Sequence, residues 1–306
     1  MPFTLTGADL SRLCQRNLFD IPPDGMIFFG VRGCLPVQPD DHDFKLEQEL
    51  RLTDLDYTRV RCTLGQWLPA ERKLAVFPGS TVPFITNVQK AKLGRGIGAN
   101  QLMTGYYPLY ERKKHMPKTK VNWHDAFGLK EGALSAIRRS EDDTDFDAKD
   151  RVEVSNPHDN IHAAYSLNPE GNYSSSGCQV VLGFPQCDSK RFSPEGGPWK
   201  AFKSNAYGIT NQGTFPYVLL DAREVNLLAE DRLQPLQARA RFGSSGNTVK
   251  RLQAALDVAQ TGGFDEKTLR AMLKFQAKEF GVIEATGVVG QRTAEKLGIK
   301  WPTFAA

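Results

Sequence analysis

Asp159-Asn160-Ile161-His162-Ala163-Ala164, followed after a polar stretch by Tyr173-Ser174-Ser175-Ser176-Gly177-Cys178-Gln179-Val180-Val181, decides how this chain is read. His162 and Cys178 stand sixteen positions apart (178 − 162). A cysteine attacks as its thiolate, and an imidazole alongside can take the thiol proton. Ser174-Ser175-Ser176-Gly177 predicts a tight, unencumbered turn that exposes the sulfur and aims backbone N–H groups at a developing oxyanion. Val180-Val181-Leu182 then returns to an apolar strand. A single cysteine ahead of such a run is more often a buried strand end, and a single loop histidine more often lies on the surface. The two together at this spacing point to nucleophilic chemistry.

Working outward, the flanking sequence reads as short strands separated by turn residues, the pattern of a β-rich domain. Residues 57–63 alternate, residues 73–77 form a second candidate strand broken by Pro78-Gly79-Ser80, and residues 101–110 a third. Phe215 to Asp221 (FPYVLLD) reads as a buried closing strand. Residues 138–150 carry charges of both signs and read as an exposed hairpin or loop. Residues 1–50 read as an irregular lead-in holding one short helix over 5–18, capped by Thr6 with Asp9 three residues on. The catalytic domain is assigned to residues 51–230.

A linker is expected near 230–240, where Pro235 interrupts the pattern. Beyond it Val249, Leu252 and Leu256, then Leu269, Met272 and Phe275, recur at helical spacing, and Asp265 is placed to cap the second helix. With a short third helix over 291–297, residues 240–306 read as a three-helix mini-domain. Its core (Val249, Leu252, Leu256, Leu269, Met272, Phe275, Val288, Leu297) is small. It holds no His and no Cys, which favours binding over catalysis.

Two resemblances add names. Phe242-Gly243-Ser244-Ser245-Gly246 with Val249-Lys250-Arg251-Leu252-Gln253, Gly263-Phe264-Asp265 with Thr268 and Gln276, and Thr286-Gly287-Val288-Val289-Gly290 with Thr293 resemble the peptidoglycan-binding domain appended to many wall hydrolases. Ile161-His162, then Ser175-Ser176-Gly177-Cys178 read as Ser-x-Gly-Cys, resembles the signature of L,D-transpeptidase catalytic domains. Those are β-rich cysteine enzymes that attack peptidoglycan stem peptides, forming a thioester and passing the acyl group to an amine or to water. The resemblance implies a multidomain protein, a β-rich L,D-transpeptidase-like domain plus a small three-helix peptidoglycan-binding domain. It also implies Cys178 as nucleophile, His162 as base, and Ser176 and Gly177 as the catalytic turn. Asn160, Tyr173 and Gln179 are the expected substrate contacts. Ser176 stands where the family has His or Thr, and Gln179 and Val180 stand where it has Arg or Asn. The segment 185–213 is longer than the family's usual link to its last strand and is expected to cover the site.

Composition sets the outer bounds. The chain has 306 residues, enough for roughly two domains of about 100–200 residues each. Its net charge of +4, spread without a dense basic run, permits an anionic polymer but gives no argument for nucleic acid. No apolar run approaches the roughly 20 residues that span a bilayer. Residues 1–16 lack the features of a signal peptide. The expectation is therefore a protein that is cytoplasmic as made and acts in the periplasm or wall after non-classical delivery, with peptidoglycan as partner. The thiol mechanism calls for no cofactor and no metal. Two alternatives stay open: a non-catalytic wall-binding protein, or a zinc-dependent wall peptidase using His124, His158 and His162. The five cysteines (Cys14, Cys34, Cys62, Cys178, Cys187) form no CxxC pair. Cys187, nine positions after Cys178 (187 − 178), could close a silencing disulfide with it.

Overall fold

Ile27, Phe29 and Val31 alternate with Phe28 and Gly30, and both sets are buried, so this strand carries core on each of its faces. It belongs to a closed eight-stranded barrel in the computed structural model, which describes residues 2–96, 98–192 and 194–305. The barrel strands are β1 (Ile27–Arg32), β2 (Cys62–Leu68), β3 (Lys73–Ser80), β4 (Gly105–His115), β5 (His124–Leu129), β6 (Asn160–Ala163), β7 (Gln179–Val181) and β8 (Thr214–Asp221). Around the wall they run β6-β7-β3-β2-β1-β8-β4-β5, and β5 closes on β6. Two pairs are parallel, β6 with β7 and β1 with β8; the rest are antiparallel.

One aromatic cluster joins Phe28, Phe77, Phe127 and Phe215 to Trp199 and Phe202, which come from helix Pro198–Tyr207. Phe28 stacks on Phe215 with ring centres 4.8 Å apart. On the opposite face of β1, Ile27, Phe29 and Val31 pack against the helices Gly7–Arg16 and Ala222–Glu230. With both faces apolar, alternation alone does not fix the register; the fit at Gly30 does, since a Cβ there would lie 2.2 Å from the Tyr217 hydroxyl.

The helix signals read from sequence hold. Thr6 and Asp9 form a capping box at the helix Gly7–Arg16, and Asp265 caps the helix Glu266–Phe280. The C-terminal region forms the helices Asn247–Ala255, Glu266–Phe280 and Gln291–Lys296 around Val249, Leu252, Leu269, Met272 and Val289. Val289 is fully buried where Val288 was expected.

Other expectations change. Residues 1–50 are no irregular lead-in, because they supply β1, which lies between β2 and β8 in the barrel wall. The strand expected over 57–63 begins only at Cys62, since Asp56 Oδ1 draws the Thr58 and Arg59 amides into a turn. Pro78-Gly79-Ser80 does not end β3. A Cβ on Gly79 would sit 2.2 Å from Val180 O, so glycine is what lets β7 lie against β3. Within 138–150, the strand Ser135–Ser140 buries Arg138, and only the part beyond it is loop.

The expected linker is bridged instead of free. Leu236–Gln237 pairs with Thr303–Phe304, and Arg239 N–H bonds Arg16 O at 2.7 Å. The C-terminal core also takes in Ala136, Met103, Val152, Val154 and Leu18 from the rest of the chain. Buried Glu224 ties the parts together: it accepts from Arg241 Nη2 at 2.8 Å and Asn17 Nδ2 at 3.1 Å, with Arg239 and Arg16 at 3.5 and 3.9 Å. Among the described residues no helix is long and apolar enough to cross a membrane.

Candidate functional site

The local pairing of β6 and β7 brings His162 and Cys178 together. Ile161 lies beside Gln179 and His162 beside Val180. Side chains alternate along a strand, so Ile161, Ala163 and Val181 face the aromatic core while His162 and Val180 face away from it. Cys178 packs with Val180, Ala164, Tyr173 and Leu182 in a separate small cluster on that outward side. One ring nitrogen of His162, one of His115 and the Cys178 sulfur all lie within 4.8 Å of one another.

His115 ends β4 and pairs directly with His124 at the start of β5. The His115 ring stacks on His162 with centres 4.0 Å apart and planes 13° off parallel. His124 approaches both, at 5.2 and 5.7 Å between ring centres. The polar contacts orient the rings. His162 Nδ1 lies 2.7 Å from Ala163 O, and a carbonyl only accepts, so Nδ1 carries the proton and Nε2 is left basic. His124 Nδ1 lies 2.8 Å from Asn122 O and 3.1 Å from the Tyr165 hydroxyl. Asn160 Nδ2 donates to His115 Nδ1 at 3.0 Å, and the Asn160 backbone N–H points at Cys178 Sγ from 3.4 Å.

Burial governs the electrostatics. It pushes the Cys178 thiol up from its ordinary range, reinforced by the nearby Asp159 carboxylate and opposed by the Asn160 amide. It pulls His162 well below the usual histidine value, and the neighbouring His115 and His124 add to that. His115 is lowered to about 4 by burial and then by His124, and His124 is lowered as well, mainly by burial. Asp159, which accepts from Asn100 Nδ2 at 3.0 Å, is raised by burial to about 6. At neutral pH the pair rests as thiol and neutral imidazole, and a thiolate forms only as the proton moves to His162.

Comparison with protein-family profiles, with curated protein sequences and with solved structures gives no match to this chain. The geometry alone therefore carries the site.

The expected site residues divide by placement. The expected exposed thiol is instead buried. The Gly177 N–H goes to Ser175 Oγ at 3.2 Å, so it is not free for an oxyanion. Gly177 is there for space: a Cβ would come within 2.5 Å of Asp159 Oδ2 and 2.7 Å of Asn100 Cβ. Ser176 is exposed, and its carbonyl accepts from the Asn100 N–H. Gln179 faces the barrel interior, bonded to Gly177 O and the Tyr217 hydroxyl, which corrects its expected substrate role. Tyr173 is buried with its hydroxyl on Val82 O and Pro83 O, so it too is structural. Asn160 stays at the site, holding His115 and facing the sulfur. Among the described residues the metal-capable donors are His115, His162 and Cys178. His158 is exposed in a left-handed turn (φ 59°) and belongs to no such group, which removes it from the expected zinc set.

All five cysteines are free and buried, so Cys178 and Cys187 are not joined. The segment 185–213 does reach the site. Ser189 N–H bonds Val121 O at 2.9 Å, and Phe192 packs on Tyr165 at 4.8 Å between rings, next to His124. The sequence reading missed His115 and Tyr165. His115 is masked by the basic residues around it (Arg112, Lys113, Lys114, Lys118, Lys120), although it stands nine positions before His124 (124 − 115) and faces it across a hairpin.

Proposed function

We propose that this protein is a cysteine acyl-transfer enzyme of peptidoglycan, acting on stem-peptide amides through a thioester on Cys178 and held to the wall by residues 240–306. The observation that carries the reading is the placement of Cys178 at the entry to β7, beside His162 on the parallel strand β6, with His162 Nδ1 fixed on Ala163 O so that its other nitrogen is the basic one. The resemblances around His162–Cys178 and across residues 242–297 supply the substrate class and the L,D-transpeptidase-like architecture.

In the proposed cycle Cys178 gives its proton to His162 Nε2 as sulfur attacks the amide carbonyl carbon. The tetrahedral intermediate collapses, the C–N bond breaks, and the leaving amine takes the proton from His162. An acceptor amine or water then attacks the thioester while His162 takes its proton, and the departing sulfur recovers it. The raised thiol and depressed imidazole oppose this transfer in the resting site, so on this reading it takes place only with substrate bound. The site of action on this reading is the periplasm or wall, reached by a dedicated delivery route.

Digestion of purified peptidoglycan, with the released fragments identified by mass spectrometry, tests the proposal. Cys178→Ala and His162→Ala are each expected to abolish stem-peptide cleavage or exchange while sedimentation with insoluble peptidoglycan persists. Near-full turnover by Cys178→Ala would refute the mechanism. Inert wild-type protein that still sediments would favour a purely wall-binding role.

A further inference from the structure

Three imidazoles and one thiol converge on the outward face of the barrel, more donors than the proton transfer above needs. We propose that His115, His162 and Cys178, completed by His124, form a Zn2+ site, and that the bound ion silences the thiol. The silencing half rests on Cys178 being the nucleophile; the metal site itself rests on the cluster alone.

Two observations point to a cation. The first is the donor set: ring nitrogens of His115 and His162 and the Cys178 sulfur within 4.8 Å of one another. The second is His124, which stands beside that group without belonging to it and is 1% exposed. Its buried Nε2 has no hydrogen-bond partner among the described residues, and it would have to move in to bind. With Nδ1 held by Asn122 O, that Nε2 presents a bare lone pair in a ring 5.2 Å from His115 and 5.7 Å from His162. A buried acceptor without a donor is costly, and a metal ion would satisfy it.

The chemistry of the donors selects the ion. Imidazole and thiolate together, with no carboxylate in the group, suit Zn2+ and not Mg2+ or Ca2+. Zn2+ takes such ligands tetrahedrally at about 2.0–2.1 Å to nitrogen and 2.3 Å to sulfur. The supporting contacts are of the kind that orient metal ligands: Ala163 O holds His162 Nδ1, leaving Nε2 as the donor. Asn160 can serve His115 in the same way by turning its amide, so that oxygen accepts from Nδ1–H and Nε2 becomes the donor. Binding also requires movement. The stacked His115 and His162 rings must fan apart, and the donors must close to roughly 3.3–3.6 Å, the separation that such bonds give at tetrahedral angles. Cys178–SH plus Zn2+ gives Cys178–S−–Zn2+ and one proton released to water. The sulfur lone pair and the His162 lone pair are then both in metal bonds, so neither attack nor proton transfer can start.

The full chain, purified through a chelator, is titrated with Co2+ and then Zn2+. One equivalent of Co2+ per chain is expected to produce a thiolate-to-cobalt charge-transfer band that Zn2+ displaces and that Cys178→Ser lacks. His115→Gln and His124→Gln, each checked for native circular dichroism, are expected to weaken Zn2+ binding by about tenfold or more. Mapped alkylation of Cys178 is expected to slow on Zn2+ loading and recover with chelator. Absence of the band in folded wild-type protein, unchanged affinity in both histidine variants, or alkylation indifferent to Zn2+ would overturn the site. Activity found only in the Zn2+-loaded form would overturn the silencing. Failure of the thiol mechanism registers separately, as chelated, readily alkylated protein that leaves peptidoglycan intact.

Discussion

Gly177→Ala is the most direct test of the turn that presents Cys178. The added methyl would lie 2.5 Å from Asp159 Oδ2, 2.8 Å from its Cγ and 2.7 Å from Asn100 Cβ, where ordinary contact begins near 3.4 Å. The shortfall is 3.4 − 2.5, or 0.9 Å, and the obstructing groups cannot swing away cheaply. Asn100 is buried in the strand Ala99–Leu102, its N–H is bonded to Ser176 O, and its side chain holds Asp159. The turn itself must therefore move, and Cys178 with it. Overpacking of this kind costs about 1–3 kcal/mol. At about 2–4 °C per kcal/mol, that lowers the melting temperature by roughly 2–12 °C. A displacement near 1 Å at the sulfur is worth about 100-fold in kcat/KM. Calorimetry and stem-peptide turnover measure the two effects. Gly213→Ala is the control, since nothing lies within 4 Å of its Cβ position. Wild-type melting and wild-type turnover in Gly177→Ala would refute the claim that this glycine positions the thiol.

Glu224→Gln leaves Arg241, itself buried, without its carboxylate; breaking such a buried pair costs about 3–5 kcal/mol, read as loss of stability in denaturant titration. Acidification is expected to destabilise the fold. His115 is lowered to about 4, and His162 and His124 are also depressed, so between the ordinary value near 6.5 and about 4 the unfolded chain binds protons that the folded chain refuses, and stability drops as pH falls through that window. Asp159 and Asp150, each raised to about 6 by burial, work in the opposite sense, yet two carboxyls stand against three imidazoles; stability that rises from pH 6.5 to 5 would contradict this. Deleting residues 240–306 uncovers Ala136, Met103, Val152 and Val154, and the shortened protein is expected to bind a hydrophobic dye and melt lower than the full chain.

Much of the fold was legible wherever a local rule acts alone. The Thr6–Asp9 box, the Asp265 cap and the heptad-like spacing around Leu269 and Met272 each depend on neighbours within four residues, and each formed as read. Barrel strand β8 was legible from its apolar run. What stayed hidden depends on partners distant in sequence. Nothing near Pro78-Gly79 signals that β7 will press against it, so a breaker was read where the strand continues. Nothing near Met26 signals that β8, nearly two hundred residues on, will claim β1 as its parallel neighbour. The site divides the same way. His162 and Cys178 were visible because their spacing is short, whereas His115 joins them only through the closure of β4 on β5 and of β5 on β6. Gln179 was misplaced because the alternation that turns it inward cannot be read until the strand limits are known, and Tyr173 because the loop that buries it under Val82 and Pro83 forms only in the folded chain.

The parallel pairing of Ile27–Arg32 with Thr214–Asp221 has a consequence for how the protein is made. The first barrel strand to leave the ribosome lacks one of its two neighbours until nearly three quarters of the chain has been synthesised. Its apolar faces and one backbone edge must wait, and such non-local closure is slow and open to misassociation. The same delay governs the chemistry. The strand that brings His115 to the thiol is paired on one side with that late-arriving segment, so the nascent chain cannot hold its reactive groups in register. The cluster of His115, His162 and Cys178 is therefore assembled only when the barrel is complete.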